Sequence, residues 1–338
     1  MAFTIGTSCV GRRLANAVRR RRLAAALAAM LVAGSLAAAA DPWHFTVTAD
    51  PRGNHTLFAN TLTAVNTLAG GPGAFHVSVG DVDNTVPENR AVVDTAFGSS
   101  AVWYPVVGNH EEETIDDMTW IRDEYANGNG LRTPLKSFTN ENGPAGSVET
   151  TYSWDYNNAH FVVLNEYWNG GTAAGSDVAA DGDVVPGLRQ WLAADLAANA
   201  KPYVFVIGHE PAFPANRHIG DSLDANVANR DAFWSLMESY NVDAYLVGHT
   251  HYYSRHKGDA SGIGNVWQID AGAAGNGDDE TFVDIILSDS EVRYNVYDNH
   301  TGTFGLLETW SEPIPEPATL ALLAAGCLAI LRPRRSVK

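Results

Sequence analysis

AYLVGHTH, residues 244 to 251, runs from apolar, β-forming residues through a glycine into two histidines. Residues i and i+2 of an extended chain point to the same side, so the pattern predicts that His249 and His251 face one site together. The same construction recurs four times upstream. FTVTAD (45–50) ends on Asp50, HVSVGD (76–81) on Asp81, YPVVGNH (104–110) on Asn109 and His110, and YVFVIGH (203–209) on His209. Four of the five runs place Gly directly before the ligand-type residue, which permits a sharp turn and close backbone approach. A lone Asp or His after a strand is ordinarily a turn residue or a cap. Five together point to one edge, because open α/β sheets bind ligands at the C-terminal ends of their strands.

The rest of the pattern fits such a sheet. Strand-like runs occupy 44–49, 75–79, 102–107, 151–156, 160–164, 203–207 and 244–247, and helix-like segments 55–69, 88–97, 116–126, 187–199 and 229–240 lie between several of them. In the fourth helix Leu188, Trp191, Leu192 and Leu196 carry helical spacing, with Asp195 at the edge of the apolar stripe. Alternation of this kind predicts an α/β core, and later strands at 266–270, 281–287 and 292–297 predict an added antiparallel portion. There is no internal repeat, and Gly- and Asn-rich loops lie at 127–147, 169–185 and 271–279. One domain with long loops, residues 41–311, is the simplest organisation.

Both ends read as addresses. Six arginines between Arg12 and Arg22 precede the apolar run Leu23 to Ala39, which closes in small residues before Asp41. That order predicts a signal peptide over residues 1–40. At the other end, within 312–338, Pro315-Glu316-Pro317 precedes an apolar stretch from Ala318 to Leu331 and then Arg332, Arg334 and Arg335. This order resembles the PEP-CTERM sorting signal of bacterial exported proteins. It implies a short transmembrane stretch, processing by a membrane sortase, and a final location at the cell surface or outside the cell.

Residues 41 to 314 hold 12 Lys and Arg against 38 Asp and Glu, a formal net charge of −26. Such a surface argues against nucleic acid as a partner and favours cation binding. The only cysteines, Cys9 and Cys327, lie in the two end segments, so metal chemistry in the domain must use oxygen and nitrogen. Asp81 can bridge two ions about 3.5–4 Å apart, and Asn109 offers a neutral carbonyl oxygen. Mixed O and N ligation suits Mn, Fe or Zn better than Ca.

The set Gly80-Asp81, Gly108-Asn109-His110-Glu111, Gly208-His209 and Gly248-His249-Thr250-His251 resembles the motif series of the calcineurin-like metallophosphoesterases. Further segments at 152–165, 187–196 and 248–255 are similar to the purple acid phosphatase branch. The resemblance implies a four-layer fold, two facing mixed β-sheets flanked by helices, with two metal ions at the strand ends and a phosphate ester as substrate. It assigns Asp50, Asp81 and His251 to the first ion and Asp81, Asn109, His209 and His249 to the second. His110 would contact substrate and protonate the leaving oxygen, with Glu111 orienting it. Two departures stand out. Arg52 occupies the place where most of the superfamily has a metal-binding histidine, and Asn84 the place of the purple branch's tyrosine. Guanidinium has no lone pair to give, so Arg52 is expected to oppose a cation at the first site and to attract a phosphate oxygen. Metal-activated hydrolysis of phosphate monoesters or diesters is therefore the leading expectation. The alternative is a surface or matrix protein that keeps the fold with weakened catalysis.

Other residues carry plainer readings. His55 and His76 read as a helix-start and a strand residue, and Trp103, Trp154 and Trp267 as core or rim. Arg217, His218 and Arg255 are candidates for contact with a substrate phosphate. Asp278, Asp279 and Glu280 read as a solvated turn.

Overall fold

A computed structural model of the protein describes residues 41–82, 86–112, 115–126, 143–173, 181–276 and 280–313. Segment 1–40, the Pro-Glu-Pro tail from 314 onward, Asn84, Asp278 and Asp279 lie outside the described residues. Among the described residues no helix is long and apolar enough to cross a membrane.

In chain order the elements are β1 (Trp43–Thr48), α1 (His55–Val65), β2 (His76–Ser78), α2 (Val86–Phe97), β3 (Trp103–Pro105), the single turn α3 (Asn109–Glu112), α4 (Ile115–Ala126), β4 (Tyr152–Tyr156), β5 (Ala159–Val163), α5 (Pro186–Ala198), β6 (Tyr203–Ile207), a 3₁₀ turn (Leu223–Asn226), α6 (Val227–Ser239), β7 (Ala244–Val247), β8 (Tyr253–Lys257), β9 (Trp267–Ala271), β10 (Thr281–Leu287), β11 (Glu291–Asp298) and β12 (Gly305–Pro313). They build two six-stranded mixed sheets, ordered β12-β11-β10-β1-β2-β3 and β4-β5-β6-β7-β9-β8. Helices flank both, which is the expected α/β architecture.

Strand β6 shows why the runs are apolar throughout. Tyr203, Phe205 and Ile207 join the core between the sheets, while Val204 and Val206 join a second cluster with Leu188, Leu192 and Leu196 of α5 and Phe233, Trp234 and Met237 of α6. A strand covered on both faces needs no polar alternation. Between the sheets, Phe161 meets Phe45 edge to face, with ring centroids 5.1 Å apart. Helix starts follow local chemistry: Asn54 Oδ1 accepts from Leu57 N at 3.2 Å to cap α1, and Pro186 opens α5, where its missing N–H costs nothing.

Three elements differ from the sequence expectation. Strand β9 is not part of the antiparallel portion of the first sheet: it pairs parallel with β7 in the second sheet, whereas β10 pairs antiparallel with β1, and β11 and β12 continue the first sheet, each antiparallel to its neighbour. Strands β8 and β12 give no apolar run because polar side chains hold them together. Arg255 and Tyr253 of β8 bond Glu308 of β12, and Lys257 bonds Glu312 at 2.7 Å. Asp195, read as a stripe-edge residue, is buried and bonded to Ser153 and His160.

Candidate metal centre

Parallel ladders run past the strand ends and fix where the ligands stand. Val79 N donates to Thr48 O at 2.8 Å, Asp50 N to Gly80 O at 3.2 Å, Gly208 N to Leu246 O at 3.1 Å and Gly248 N to His209 O at 2.9 Å. Asp50 and Asp81 thus leave the first sheet, and His209 and His249 the second, at one shared edge. Two bonds join the sheets there. His249 N donates to Asp50 Oδ2 at 2.9 Å, and His209 Nδ1 lies 2.7 Å from Val79 O. A carbonyl only accepts, so Nδ1 of His209 carries the proton and Nε2 turns a lone pair toward the centre.

The convergence is tight. Asp81 Oδ1 is 3.3 Å from His209 Nε2, Asp50 Oδ1 is 3.2 Å from His251 Nε2, and ligand atoms of Asp50, Asp81 and His209 all lie within 4.8 Å of one another. Asp50 Oδ1, Asn109 Oδ1, His209 Nε2 and His249 Nε2 are buried without a hydrogen-bond partner. An unsatisfied buried polar atom costs about 1–3 kcal/mol, so Asp50 and His209, whose ligand atoms converge with that of Asp81, form a destabilised arrangement unless something offsets it. A cation does so, and the O and N donor set fits one.

The charges agree with that demand. Burial, then the neighbouring Asp81 carboxylate, raises the Asp50 pKa well above its ordinary value. Burial opposes ionisation of Asp81 too, but His209, His110 and Arg52 outweigh it and lower its pKa. Burial, followed by Arg217, lowers His251 to about 4, and burial with the surrounding cationic groups lowers His249 further still. Both imidazoles are therefore neutral near pH 7, the form in which a ring nitrogen ligates.

The glycines before the ligands serve approach more than turning. A Cβ at Gly80 would lie 2.2 Å from the His209 ring, at Gly108 2.4 Å from Asp81, and at Gly248 2.5 Å from Asp50 Oδ2. Backbone turning falls instead on the site residues themselves. Asp50, Arg52, Asp81, His249 and His251 all have positive φ, from 47° to 71°. Non-glycine residues visit that region rarely, and a cluster of them marks a functional site. His249 and His251 accordingly do not converge through an extended chain. They converge through a left-handed turn in which Thr250 Oγ1 donates to buried Asp270 at 2.6 Å.

The remaining candidates divide. Arg52 Nη1 stands 3.6 Å and His110 Nε2 3.8 Å from Asp81 Oδ2. Glu111 is buried, and its Oε2 accepts from Gly108 N at 2.7 Å and Asp81 N at 2.9 Å, so it clamps two ligand loops beside any orienting role toward His110. The His218 ring lies 4.0 Å from that of His249, and Arg217 Nη1 contacts His251 Nδ1. Arg255 is held elsewhere, by Glu308 and between the rings of Trp267 and Trp310. His76 is a core residue, bonded to Thr46 and Thr48 and lowered to about 3 by burial. His55 begins α1, Trp103 and Trp154 are buried, and Trp267 is partly buried at the β8–β12 contact.

Behind His209 lies a layer that the sequence reading missed. Glu166 Oε2 accepts from His209 N at 3.0 Å and Glu210 N at 2.7 Å, and Tyr245 OH donates to Glu166 Oε1. Glu210 in turn accepts from Tyr167 OH at 2.8 Å and Gly182 N at 2.9 Å. Burial raises Glu166 to about 7 and Glu210 to about 8. The available signal was an acid one residue beyond the strand-like run VVL at 162–164, after Asn165, and another directly after Gly208-His209.

Comparison with known proteins agrees with this geometry. An acid phosphatase of Aspergillus ficuum is 28% identical over 149 residues, 43% of this chain, and the match spans only 19% of that relative's length. Two solved structures share the fold. A purple acid phosphatase from yellow lupin (Lupinus luteus) seeds superposes with a TM-score of 0.55 at 14% identity over 80% of this chain and 54% of its own. GAP50, the anchor in the inner membrane complex of Plasmodium, gives 0.54 at 13% identity over 86% of this chain and 95% of its own. The model of the calcineurin-like phosphoesterase family matches residues 44–253. With that match running over more than half of its length, the chain belongs to the calcineurin-like phosphoesterase family.

Proposed function

We propose that this protein is an exported hydrolase of phosphate monoesters or diesters acting at a dinuclear metal centre. The observation that carries the reading is the convergence of ligand atoms of Asp50, Asp81 and His209 within 4.8 Å of one another, with Asp50 Oδ1, Asn109 Oδ1, His209 Nε2 and His249 Nε2 buried and unpartnered. In this reading Asp50, Asp81 and His251 hold one ion, and Asp81, Asn109, His209 and His249 the other. Bound Mn, Fe or Zn ions supply Lewis acidity and an activated water near neutral pH. The chain's own groups do the rest. Arg52 donates to a phosphate oxygen on the Asp81 side. His110, whose Nε2 stands beside Asp81 Oδ2, holds the proton for the leaving oxygen. Glu111 and Glu166 keep the ligand loops in register through backbone amides.

Turnover of phenyl phosphate by the purified protein with added Mn, abolished in His249→Ala, tests the reading. A second reading, a surface or matrix protein with weakened catalysis, has Arg52 beside Asp81 in its favour, since an arginine there repels a cation. Absence of turnover with Mn, Fe and Zn alike would select it. Export and sortase processing rest on residues 1–40 and 315–335 of the sequence. Intact mass of protein from its own host should show a chain that begins near Asp41 and lacks the region after Pro317. Both termini uncleaved in the extracellular fraction would remove that part of the proposal.

A further inference from the structure

Beside the centre, on the His251 side, lies a cavity of about 360 Å³ lined by Asn54, Leu57, Arg217, His251, Tyr252 and Asn276. Its wall is unusual for so acidic a chain, whose formal net charge is −17. The side chains that line it supply a cation and two amides and no carboxylate. Asn54 spends its Oδ1 on the α1 cap, which leaves the amide N–H₂ as its free end, and Asn276 Nδ2 lies 3.4 Å from His251 Nε2.

Arg217 is the notable member. Arg52, Arg90, Arg230, Arg255 and Arg293 each have a carboxylate within 4.0 Å, whereas Arg217 and Arg189 make no salt bridge among the described residues; Arg189 donates to the carbonyl of Val184, and Arg217 meets the side chain of His251 at Nδ1. The two residues flanking it, Asn216 and His218, have φ of 67° and 58°, so the loop spends backbone strain on presenting this side chain. The loop is also tied down, by Ser222 Oγ to His218 O at 2.8 Å and Gly220 N to Asp224 Oδ2 at 2.8 Å. A guanidinium only donates, so its contact occupies the lone pair of His251 Nδ1. An anion in the cavity gives Arg217 a better acceptor than a neutral imidazole nitrogen.

We propose that this cavity receives a second anionic group of the substrate, a carboxylate or a phosphate carried by the leaving group, with Arg217 as its counter-charge and Asn54 and Asn276 as further donors. The inference rests on the phosphoesterase reading above and names the class of ester that the centre prefers.

Orthophosphate release from phenyl phosphate, carboxyphenyl phosphate and phenylene bisphosphate, for the wild type, Arg217→Gln and Arg217→Lys, tests it. The wild type is expected to favour at least one of the two doubly anionic esters over phenyl phosphate by about tenfold in kcat/KM, the worth of one charge-assisted hydrogen bond. Arg217→Gln should bring that ratio to about one, and Arg217→Lys should keep part of it. Preference for the carboxylate or for the second phosphate identifies the group received. A wild-type ratio near one overturns the inference, as does a parallel fall on all three esters in Arg217→Gln, the signature of an arginine that only positions His251. Turnover of none of them by the wild type overturns the phosphoesterase reading and this inference together, whereas turnover with flat selectivity overturns the inference alone.

Discussion

Two buried regions of the second sheet use histidine in opposite ways. At one corner, His160 of β5 is fully buried between two carboxylates, with Nδ1 2.8 Å from Asp155 and Nε2 2.7 Å from Asp195, and Lys201 beside Asp155. Burial alone would lower its pKa, but the two carboxylates outweigh burial and raise it. At the C-terminal edge of the same sheet, His209 is just as buried, yet its Nε2 has no hydrogen-bond partner and neither has that of His249. A buried imidazole with both nitrogens answered is architecture. One whose inward nitrogen is unanswered is a seat for something the chain does not itself supply.

The largest expected effect breaks the comparison on its functional side. His209→Ala removes a proposed ligand whose neighbours are supported by backbone bonds, so phosphoesterase turnover should fall by at least about a thousandfold, the worth of several kcal/mol of charge stabilisation. The circular dichroism spectrum should stay that of the wild type, because the interleaved core of Phe45, Phe161 and Phe205 is untouched. An unfolded variant would mean that the centre is structural as well.

On the architectural side, His160→Gln should cost about 3 kcal/mol of stability, the lower end for breaking a buried charged pair, while activity per folded molecule stays. The sign of its pH dependence follows from the raised pKa. Stability contributed by the imidazolium is fully present below the unfolded value, roughly 6.5, and is lost as pH rises through the folded value. Urea unfolding from pH 6 to 9 should therefore show a decline in the wild type that the variant lacks; equal slopes would refute the assignment.

How much of this contrast was legible is a matter of what surrounds each residue. Asp50, Asp81, Asn109, His209 and His249 stand out in the sequence because an apolar run stops at each, and a stop in a doubly buried strand is visible without coordinates. His160 sits inside such a run, AHFVV, and its partners Asp155 and Asp195 lie five and 35 positions away, so nothing local separates it from a ligand. The glycine motif was legible as a requirement, but its reason, the ring of His209 against Gly80, exists only once the two sheets meet. The turn at His249 to His251 was misread as extended because positive φ at histidine has no local signal. Strands β8 and β12 escaped because each is stabilised by the charges of the other rather than by an apolar face.

Between the extremes stands Glu166, buried and multiply bonded like the architecture but serving the site. Glu166→Ala leaves the amides of His209 and Glu210 without their acceptor, while the Tyr245 hydroxyl keeps Glu210 O at 2.9 Å. Metal affinity measured by titration should drop about 10- to 100-fold, as for other groups that orient a ligand. Glu166→Gln, which keeps one acceptor oxygen, should recover part of the loss. No change in either variant would move Glu166 to the purely structural side.

The smallest expected effect separates the two halves of the proposed dinuclear centre. On the His209 side the imidazole is braced from behind by Glu166 and by Val79 O, and no arginine is bonded to His209 or His249 among the described residues; Asp81, with Arg52 beside it, is shared by both sides. On the Asp50–His251 side two arginines stand close, Arg52 at 3.6 Å from Asp81 Oδ2 and Arg217 on His251 Nδ1. Each positive charge near a cation costs on the order of 1 kcal/mol or more, depending on how much water remains. One ion per chain should therefore survive extensive dialysis, with the second lost from the Asp50–His251 side. Arg52→His replaces a repelling donor by a ring with a lone pair and should raise retained metal toward two. Metal analysis of both proteins after the same dialysis decides the matter. Two ions held by the wild type, with no gain from the substitution, would mean that Asp81 already neutralises Arg52 and that the halves are equivalent.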